Sequence, residues 1–163
     1  MTISKCPAAD WPALIDIFIE MENYYHDLPA ITPQEMGDYL RDSVFNPTAG
    51  TSVYISRQDG EITGFACVSI MFPAPRFSGQ MFIKELFVSA QWRGKGIGKS
   101  LMAHLAAEAR AAGCLRLDWL SDKHDSAAQR FYQSLGGEVI ESVSYYRLAD
   151  ETLHRLAESD NRQ

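Results

Sequence analysis

Cysteine is scarce in this chain, which has three in 163 residues. Cys6, Cys67 and Cys114 are far apart and form no C-x-x-C pair, so the sequence predicts neither a disulfide framework nor a zinc site. The four histidines lack the paired spacing that a metal site would use. We therefore predict no metal.

Long apolar runs and an excess of basic residues are also absent. No apolar stretch approaches the roughly 18 residues that span a bilayer, and the N-terminus lacks the charged-then-apolar pattern of a signal peptide. A formal charge of −6 argues against sequence-independent binding to nucleic acid or anionic membranes, which needs a basic field. These absences predict a cytoplasmic protein without nucleic-acid or membrane partners.

The remaining composition is that of an ordinary globular domain. Hydrophobic residues make up 46% of the chain and charged residues 22%. A chain of this length can bury its own core without disulfides or metals. We predict one domain over residues 1–157, followed by a polar tail over residues 158–163.

The spacing of apolar residues predicts the order of helices and strands. Asp10 is expected to cap a first helix, and Thr32-Pro33 to open a short second one. Two antiparallel strands should flank the turn at Asp59-Gly60, with a third strand over residues 79–88. A helix should then run from Gly98 to the glycine at position 113.

The C-terminal part is predicted in the same way. Residues 115–120 read as a short strand parallel to the third one, since a helix intervenes. Ser126 or Asp125 can cap a following helix. Residues 138–148 are expected to close the sheet, and residues 149–157 to form a last helix.

The segment RGKGIG, residues 93–98, places three glycines and two cations just after the apolar strand 79–88. Glycine tolerates positive φ, and free N–H groups that open a helix bind anions. This turn is therefore predicted to hold a phosphate group.

Two better-known phosphate loops fail on spacing. A dinucleotide fingerprint needs G-x-G-x-x-G, whereas Gly94, Gly96 and Gly98 give G-x-G-x-G. A Walker A loop needs one more residue than GKGIGKS provides, although Asp118 imitates a Walker B carboxylate. Because one missing residue changes the set of amides around the phosphate, the NTPase alternative is disfavoured.

The segments ELFV, QWRGKGIGKSL and DSAAQRFYQSLGG, in this order within residues 79–137, resemble the GNAT superfamily of acyl-CoA-dependent N-acyltransferases. The family turn, [R/Q]-x-x-G-x-[G/A], is matched by residues 93–98. The resemblance implies an α/β fold, α+β by some schemes, with a mixed, largely antiparallel sheet of six to seven strands. It also implies helices on both faces and a splay between the fourth and fifth strands.

The resemblance further implies that acetyl-CoA is the co-substrate. Main-chain groups of Leu86, Phe87 and Val88 would pair with the pantetheine arm and the acetyl carbonyl, with the Val88 or Phe87 amide as donor to the reacting oxygen. Amides of the glycine turn would hold the pyrophosphate. The implied residues of that turn are Arg93, Gly94, Lys95, Gly96, Ile97, Gly98 and Lys99.

Asp125 departs from the family pattern. Many relatives have asparagine at this position, where the amide can bond the cofactor, but an ionised carboxylate cannot donate. The sequence leaves two roles open for Asp125, a cofactor contact or a plain helix N-cap.

Two residues are candidates for proton transfer. An alkylammonium must lose a proton before it attacks, at a cost of about 4 kcal/mol at neutral pH. Glu85 could accept that proton, although a charged residue at this point could also simply occupy a solvated strand face. The resemblance implies that Tyr132 protonates or hydrogen-bonds the leaving sulfur, and a core aromatic is the alternative.

The acceptor is predicted from residues 20–27, which hold carboxylates and aromatics suited to a cationic amine. Glu22, Tyr25 and Asp27 are the candidate contacts, with a solvated helix end as the alternative. The C-terminal sequence is similar to the diamine and polyamine acetyltransferase branch. The acceptor is expected to be a small cationic amine or an amino-acid-like compound. A protein acetyltransferase and a non-catalytic acyl-CoA sensor remain open, and the resemblance also suggests a homodimer.

Overall fold

The structure, a computed structural model, describes residues 1–27 and 29–159. Within these residues there are five strands and five α-helices. The strands are β1 (Thr2–Lys5), β2 (Ser52–Gln58), β3 (Glu61–Ala74), β4 (Ser78–Val88) and β5 (Cys114–Trp119). The helices are α1 (Ile15–Tyr25), α2 (Pro33–Tyr39), α3 (Ile97–Ala111), α4 (Ser126–Ser134) and α5 (Asp150–Ser159). Short 3₁₀-helices cover Ala8–Leu14 and Ala90–Trp92, and a π-helical turn covers Leu40–Val44.

The chain divides into two compact units, Met1–Asp122 and Lys123–Gln163. The first unit holds all five strands together with α1, α2 and α3, and the second holds α4 and α5. The single domain expected over residues 1–157 stays a prediction. Of the expected polar tail, Glu158 and Ser159 belong to α5, and residues 160–163 lie outside the described part of the chain.

The sheet has the order β1-β2-β3-β4-β5, antiparallel throughout except for the parallel pair of β4 and β5. The mixed, largely antiparallel sheet is therefore confirmed. Its five strands in the described residues are fewer than the six to seven expected, and the expected strand over 138–148 is wrong: no strand forms there. Alternating apolar residues specify which face a strand would bury, but they do not supply a partner strand. Val143 and Tyr146 in this segment are 70% and 89% exposed.

Helices pack on both faces of the sheet, as expected, because successive residues of a strand point to opposite faces. On β2, Val53 and Ile55 join the apolar core with α1 and α2. Between them, Tyr54 points to the other face, where its hydroxyl lies 3.2 Å from the Glu108 carboxylate on α3 and its ring 5.5 Å from the ring of His104.

Helix starts were predicted with mixed success. Thr32 caps α2 in a full capping box with Glu35, as the Thr-Pro pair indicated. The expected cap at Asp10 is wrong, since the residues around it form a 3₁₀-helix and α1 begins only at Ile15. Pro12 lies inside the 3₁₀ segment, where its missing N–H interrupts regular α-helical hydrogen bonding.

A bulge in β4 separates its two halves. Cys67 pairs with Glu85 while the next residue of β3, Val68, pairs with Ile83, so Lys84 is an extra residue in β4. The parallel pairing with β5 also ends at Ile83, opposite Trp119. Within residues 1–27 and 29–159, the strand from Glu85 to the end of β4 pairs only with β3, and no strand pairs with its other edge. This is the expected splay between the fourth and fifth strands.

Candidate active site

The open half of β4 directs the Glu85 side chain toward α1. Glu85 and Phe87 are two residues apart and so share one face of the strand. The ring of Phe87 lies 6.0 Å from that of Tyr24 and 6.3 Å from that of Tyr25, both near the end of α1. The Tyr25 hydroxyl donates a hydrogen bond to the Glu85 carboxylate. The structure thus brings together two of the residues predicted from sequence, Glu85 and Tyr25.

Burial raises the pKa of Glu85 above its ordinary value. The neighbouring charge of Lys84 opposes this rise, as do hydrogen bonds from the Leu86 amide and the Tyr25 hydroxyl, whereas the like charge of Glu22 adds to it. A carboxylate with a raised pKa holds an abstracted proton better than an ordinary one. Cys67, paired with Glu85 across the strands, is buried, and burial raises the pKa of its thiol to about 12.

The pairing of β4 with β3 decides which main-chain groups of the open half face away from β3. The Ser89 amide donates to the Thr63 carbonyl, and Val88 pairs with Gly64, so this is a non-hydrogen-bonded pair. Antiparallel geometry then turns the N–H and C=O of Leu86 and Val88 to the open edge, while those of Phe87 face β3. Of the two amides considered from the sequence for a carbonyl oxygen, Val88 is the one that this geometry favours.

The glycine turn leads directly into α3. Gly94 and Gly96 have φ values of +73° and +81°, and Gly96 is the N-cap residue of α3. The first hydrogen bond of the helix runs from the Ser100 amide to the Gly96 carbonyl at 3.0 Å. In the part of the chain that the structure describes, no hydrogen bond involves the amides of residues 94–99. A Cβ on either glycine would meet no protein atom within 4 Å, so the space beside the turn is open. Unpaired amides at a helix start beside open space suit an anion.

The three cations of this region have different surroundings. Arg93 turns back on the protein: its Nε donates to the Val88 carbonyl at 3.0 Å, and its guanidinium lies 4.5 Å from the centre of the Tyr24 ring. Its amide faces the Ala90 carbonyl at 3.4 Å. The Nζ of Lys95 lies 4.5 Å from the Trp92 ring, and Lys99 is exposed on the first turn of α3. The free amides of the predicted turn therefore begin at Gly94.

An open pocket of about 240 Å³ lies beside α1 and is lined by both acidic and apolar residues. Its lining residues are Glu22, Ile31, Glu35, Met36 and Tyr39. The Glu35 carboxylate is already hydrogen-bonded to Thr32 in the capping box. Glu22 is the second carboxylate of the pocket, 3.9 Å from His26 and near enough to Glu85 to affect its pKa. The remaining predicted acceptor contact, Asp27, is exposed.

Two predicted site residues belong to the second unit. Asp125 accepts a hydrogen bond from the Ala128 amide at 3.0 Å and so caps α4, one of the two roles left open by the sequence. Tyr132 lies on α4, half-buried, with its ring 5.2 Å from that of Phe131. Its carbonyl accepts from the Gly137 amide at 3.0 Å, where Gly136 with φ +90° ends the helix.

Ser89 was not among the predicted site residues, and Glu20 and Tyr24 were predicted only as members of the acceptor segment 20–27, not as contacts of residues 89–93. Glu20 accepts hydrogen bonds from a residue 69 positions away in the sequence, for which the sequence holds no signal. Only the four-residue spacing of Glu20 and Tyr24 shows that they share one face of α1.

Within residues 1–27 and 29–159, no group of three or more His, Cys, Asp or Glu side chains is placed to hold a metal ion. No helix in these ranges is long and apolar enough to cross a bilayer.

Comparison with known proteins identifies one family model, described as the Acetyltransferase (GNAT) family, which matches residues 11–137. Among curated proteins, aminoglycoside N(6′)-acetyltransferase type 1 of Stenotrophomonas maltophilia is 34% identical over 93 residues, covering 55% of this chain and 61% of that protein. L-2,4-diaminobutyric acid acetyltransferase of Vibrio cholerae is 27% identical over 123 residues, covering 76% of this chain and 67% of that protein. This chain thus spans less than two thirds of the first of these relatives.

Among solved structures, an integron cassette protein from the mobile metagenome of V. cholerae has a TM-score of 0.93 and 41% identity. The match covers 96% of this chain and 97% of that one.

Proposed function

Because the chain belongs to the Acetyltransferase (GNAT) family, we propose that it is an N-acetyltransferase that moves an acetyl group from acetyl-CoA to the primary amine of a small cationic acceptor. The observation that carries this proposal is the position of Glu85. It lies on the open half of β4, is buried enough for its pKa to rise, and is hydrogen-bonded by Tyr25 beside the carboxylate of Glu22.

The donor side of the proposal rests on main-chain groups of the first unit. We place the pantetheine arm of acetyl-CoA along the open edge of β4, where the C=O of Leu86 and the N–H of Val88 point away from β3. The other two groups at this edge already have protein partners, since the Leu86 N–H donates to the Glu85 carboxylate and the Val88 C=O accepts from Arg93. The pyrophosphate then binds the free amides of residues 94–99, supported by the charges of Lys95 and Lys99. Val88 donates its amide to the acetyl carbonyl oxygen, on which negative charge develops.

The Gly96→Val variant should lose acetyl-CoA affinity. A β-branched residue is strained at a φ of +81°, and its side chain would enter the space in front of the amides. Because hydrogen bonds to charged groups are strong, we expect the dissociation constant measured by calorimetry to rise about 100-fold or more. The matched control is Gly50→Val, which also has positive φ, +70°, and open space around it. Equal affinity in folded Gly96→Val and Gly50→Val proteins would show that the pyrophosphate binds elsewhere.

The reaction requires one bond to form and one to break. The Glu85 carboxylate takes a proton from the acceptor ammonium, directly or through water, and the freed nitrogen attacks the thioester carbonyl carbon. A C–N bond forms and the C–S bond breaks, and the nitrogen gives up a second proton, to solvent or to the departing sulfur. The sulfur leaves as a thiolate that must be stabilised or protonated. We propose Tyr132 for this last step, on its match to the family tyrosine in FYQSLGG. With a pKa of about 10 against about 8.5 for a thiol, hydrogen bonding contributes more than full proton transfer.

The acceptor side of the proposal rests on charge. Glu22 lines the open pocket and lies near enough to Glu85 to raise its pKa, and two neighbouring carboxylates attract an ammonium group. The two relatives are named for the acetylation of an aminoglycoside and of diaminobutyric acid, and both of these substrates have more than one amine. We therefore propose an acceptor with a second cationic group, which binds Glu22 while the reacting amine approaches Glu85.

An amine panel tests this function. Purified protein and acetyl-CoA are mixed with diaminobutyrate, other diamines, an aminoglycoside, a neutral-tailed monoamine and a lysine peptide, and thiol release is followed. The proposal expects kcat/KM for the dicationic amines to exceed that for the monoamine by roughly 10-fold or more, the worth of one charged hydrogen bond. Turnover of the peptide alone would indicate a protein acetyltransferase. Tight acetyl-CoA binding without any turnover would indicate an acyl-CoA sensor.

Neutralising Glu22 should weaken the binding of the acceptor amine more than that of acetyl-CoA. In Glu22→Gln, we expect KM for the best amine to rise roughly 10-fold, since one charged hydrogen bond is lost, while KM for acetyl-CoA stays within about 2-fold. Asp27→Asn should add a smaller effect because its side chain is exposed. The control is Glu138→Gln, an exposed carboxylate of the second unit. Equal changes in both KM values would show that Glu22 does not contact the acceptor.

We also propose a homodimer in the cytoplasm, without nucleic-acid or membrane partners. The support for self-association is the exposed apolar surface of the second unit, where Val139, Ile140 and Leu148 are each at least 51% exposed. Light scattering that gives the mass of one chain at assay concentration would contradict the dimer.

A further inference from the structure

The segment from Val88 to Arg93 connects the two parts of the proposed donor site. It begins at the amide proposed for the acetyl carbonyl and ends where the pyrophosphate turn begins. Both contacts belong to the same ligand, so the position of this segment determines whether they can be made together. The 3₁₀-helix Ala90–Trp92 lies in its middle.

Glu20 of α1 holds the start of this segment. Its two carboxylate oxygens accept from the Ser89 hydroxyl at 3.1 and 2.9 Å, and one of them also accepts from the Ala90 amide at 2.8 Å. Ser89 is only 7% exposed, so its two bonds to Glu20 are partly shielded from water, whereas the bond from the Ala90 amide is exposed. The Ala90 amide opens the 3₁₀-helix and has no partner within it, so Glu20 caps this helix from a distant part of the chain.

A second contact from the same helix face holds the end of the segment. Tyr24 lies one turn after Glu20, and the Arg93 guanidinium packs over its ring while donating to the Val88 carbonyl. The next residue of α1, Tyr25, donates to Glu85. One end of one helix therefore contacts the donor segment at two points and the proposed base at a third.

We infer that Glu20 is a positioning residue. It fixes the donor segment, Val88 to Arg93, against α1, so that acetyl-CoA stays at a fixed distance and orientation from the acceptor-binding end of α1. This inference rests on the proposed function. The two Glu20 carboxylate oxygens accept hydrogen bonds from Ser89 and Ala90, so its proposed effect passes through these two residues. Losing its charge-assisted bonds frees the segment, which lowers acetyl-CoA affinity and also misplaces the thioester relative to Glu85.

Three variants test the inference. Glu20→Ala should raise the acetyl-CoA dissociation constant, measured by calorimetry, roughly 10- to 100-fold, the range expected for losing charged hydrogen bonds, and should lower kcat as well. Glu20→Gln retains an acceptor oxygen for Ala90 and should recover most of the affinity. Ser89→Ala removes one bond and should give a smaller loss in the same direction, which keeps the test valid if Glu20→Ala fails to fold.

Asp16→Ala is the matched control. Asp16 lies one turn before Glu20 on α1, is exposed, and makes no hydrogen bond or ion pair with the residues described. It should leave affinity and kcat within about 2-fold, as a surface substitution does. Wild-type affinity and kcat in folded Glu20→Ala and Ser89→Ala proteins overturn the inference, as does an equal loss in Asp16→Ala. A wild-type protein that binds no acetyl-CoA or acetylates no amine contradicts the proposed function instead.

Discussion

Replacing Tyr132 by phenylalanine should lower kcat by roughly 10²- to 10⁴-fold, the range for losing a general acid or its hydrogen-bond equivalent. The hydroxyl is proposed to act on the leaving sulfur, on which charge develops only as the C–S bond breaks. Acetyl-CoA affinity should therefore stay nearly constant. The loss should shrink for a thioester with a more acidic thiol, because a better leaving group needs less stabilisation.

The melting temperature of Tyr132→Phe distinguishes a loss of catalysis from a packing defect. Tyr132→Phe keeps the ring that packs against Phe131, so the melting temperature should change by a few degrees at most. The matched control is Tyr146→Phe, on a tyrosine of the same unit that is 89% exposed, and its kcat should equal that of the wild type. If Tyr132→Phe turns over at the wild-type rate, with chemistry and not product release limiting, then water or another donor serves the sulfur.

Replacing Glu85 by glutamine should lower kcat/KM by about 10²- to 10³-fold at neutral pH, because the amide cannot accept the ammonium proton. The wild-type profile of kcat/KM should fall on the acid side as the Glu85 carboxylate is protonated. Burial raises the pKa of Glu85, so this fall should occur above the ordinary glutamate value of about 4.3. Glu85→Gln should lack this acid limb, and Glu61→Gln, an exposed carboxylate at the start of β3, should keep it.

The same substitution should stabilise the fold near neutral pH. A glutamate whose pKa is raised in the folded state binds its proton more tightly there than in the unfolded chain. Its contribution to stability is complete below the unfolded pKa and is lost as the pH rises through the folded pKa. Urea unfolding at pH 7 should therefore give a higher free energy of unfolding for Glu85→Gln than for the wild type. Unchanged activity and an unchanged pH profile in this variant would assign the base to another group.

Local chemistry made part of the fold predictable. The Asp59-Gly60 turn has both residues at positive φ, +52° and +86°, as expected for a tight hairpin. Gly113, with φ +78°, follows α3 at the predicted position. These features depend on a few adjacent residues, so the sequence can specify them. β1 was missed because its four residues, Thr2–Lys5, are too short to show a periodic pattern.

The sequence by itself determined the glycine turn before α3, because positive φ and free amides follow from glycines at a helix start. It also determined which strand carries Glu85. Only the tertiary structure decided the surroundings of Glu85, that the Phe87 main chain faces β3, and that Arg93 packs on Tyr24. It alone brought Glu20 to Ser89 across 69 positions. The bulge at Lys84, the register of β3 with β4 and the packing of α1 all join distant segments, and such contacts leave no spacing pattern in the sequence.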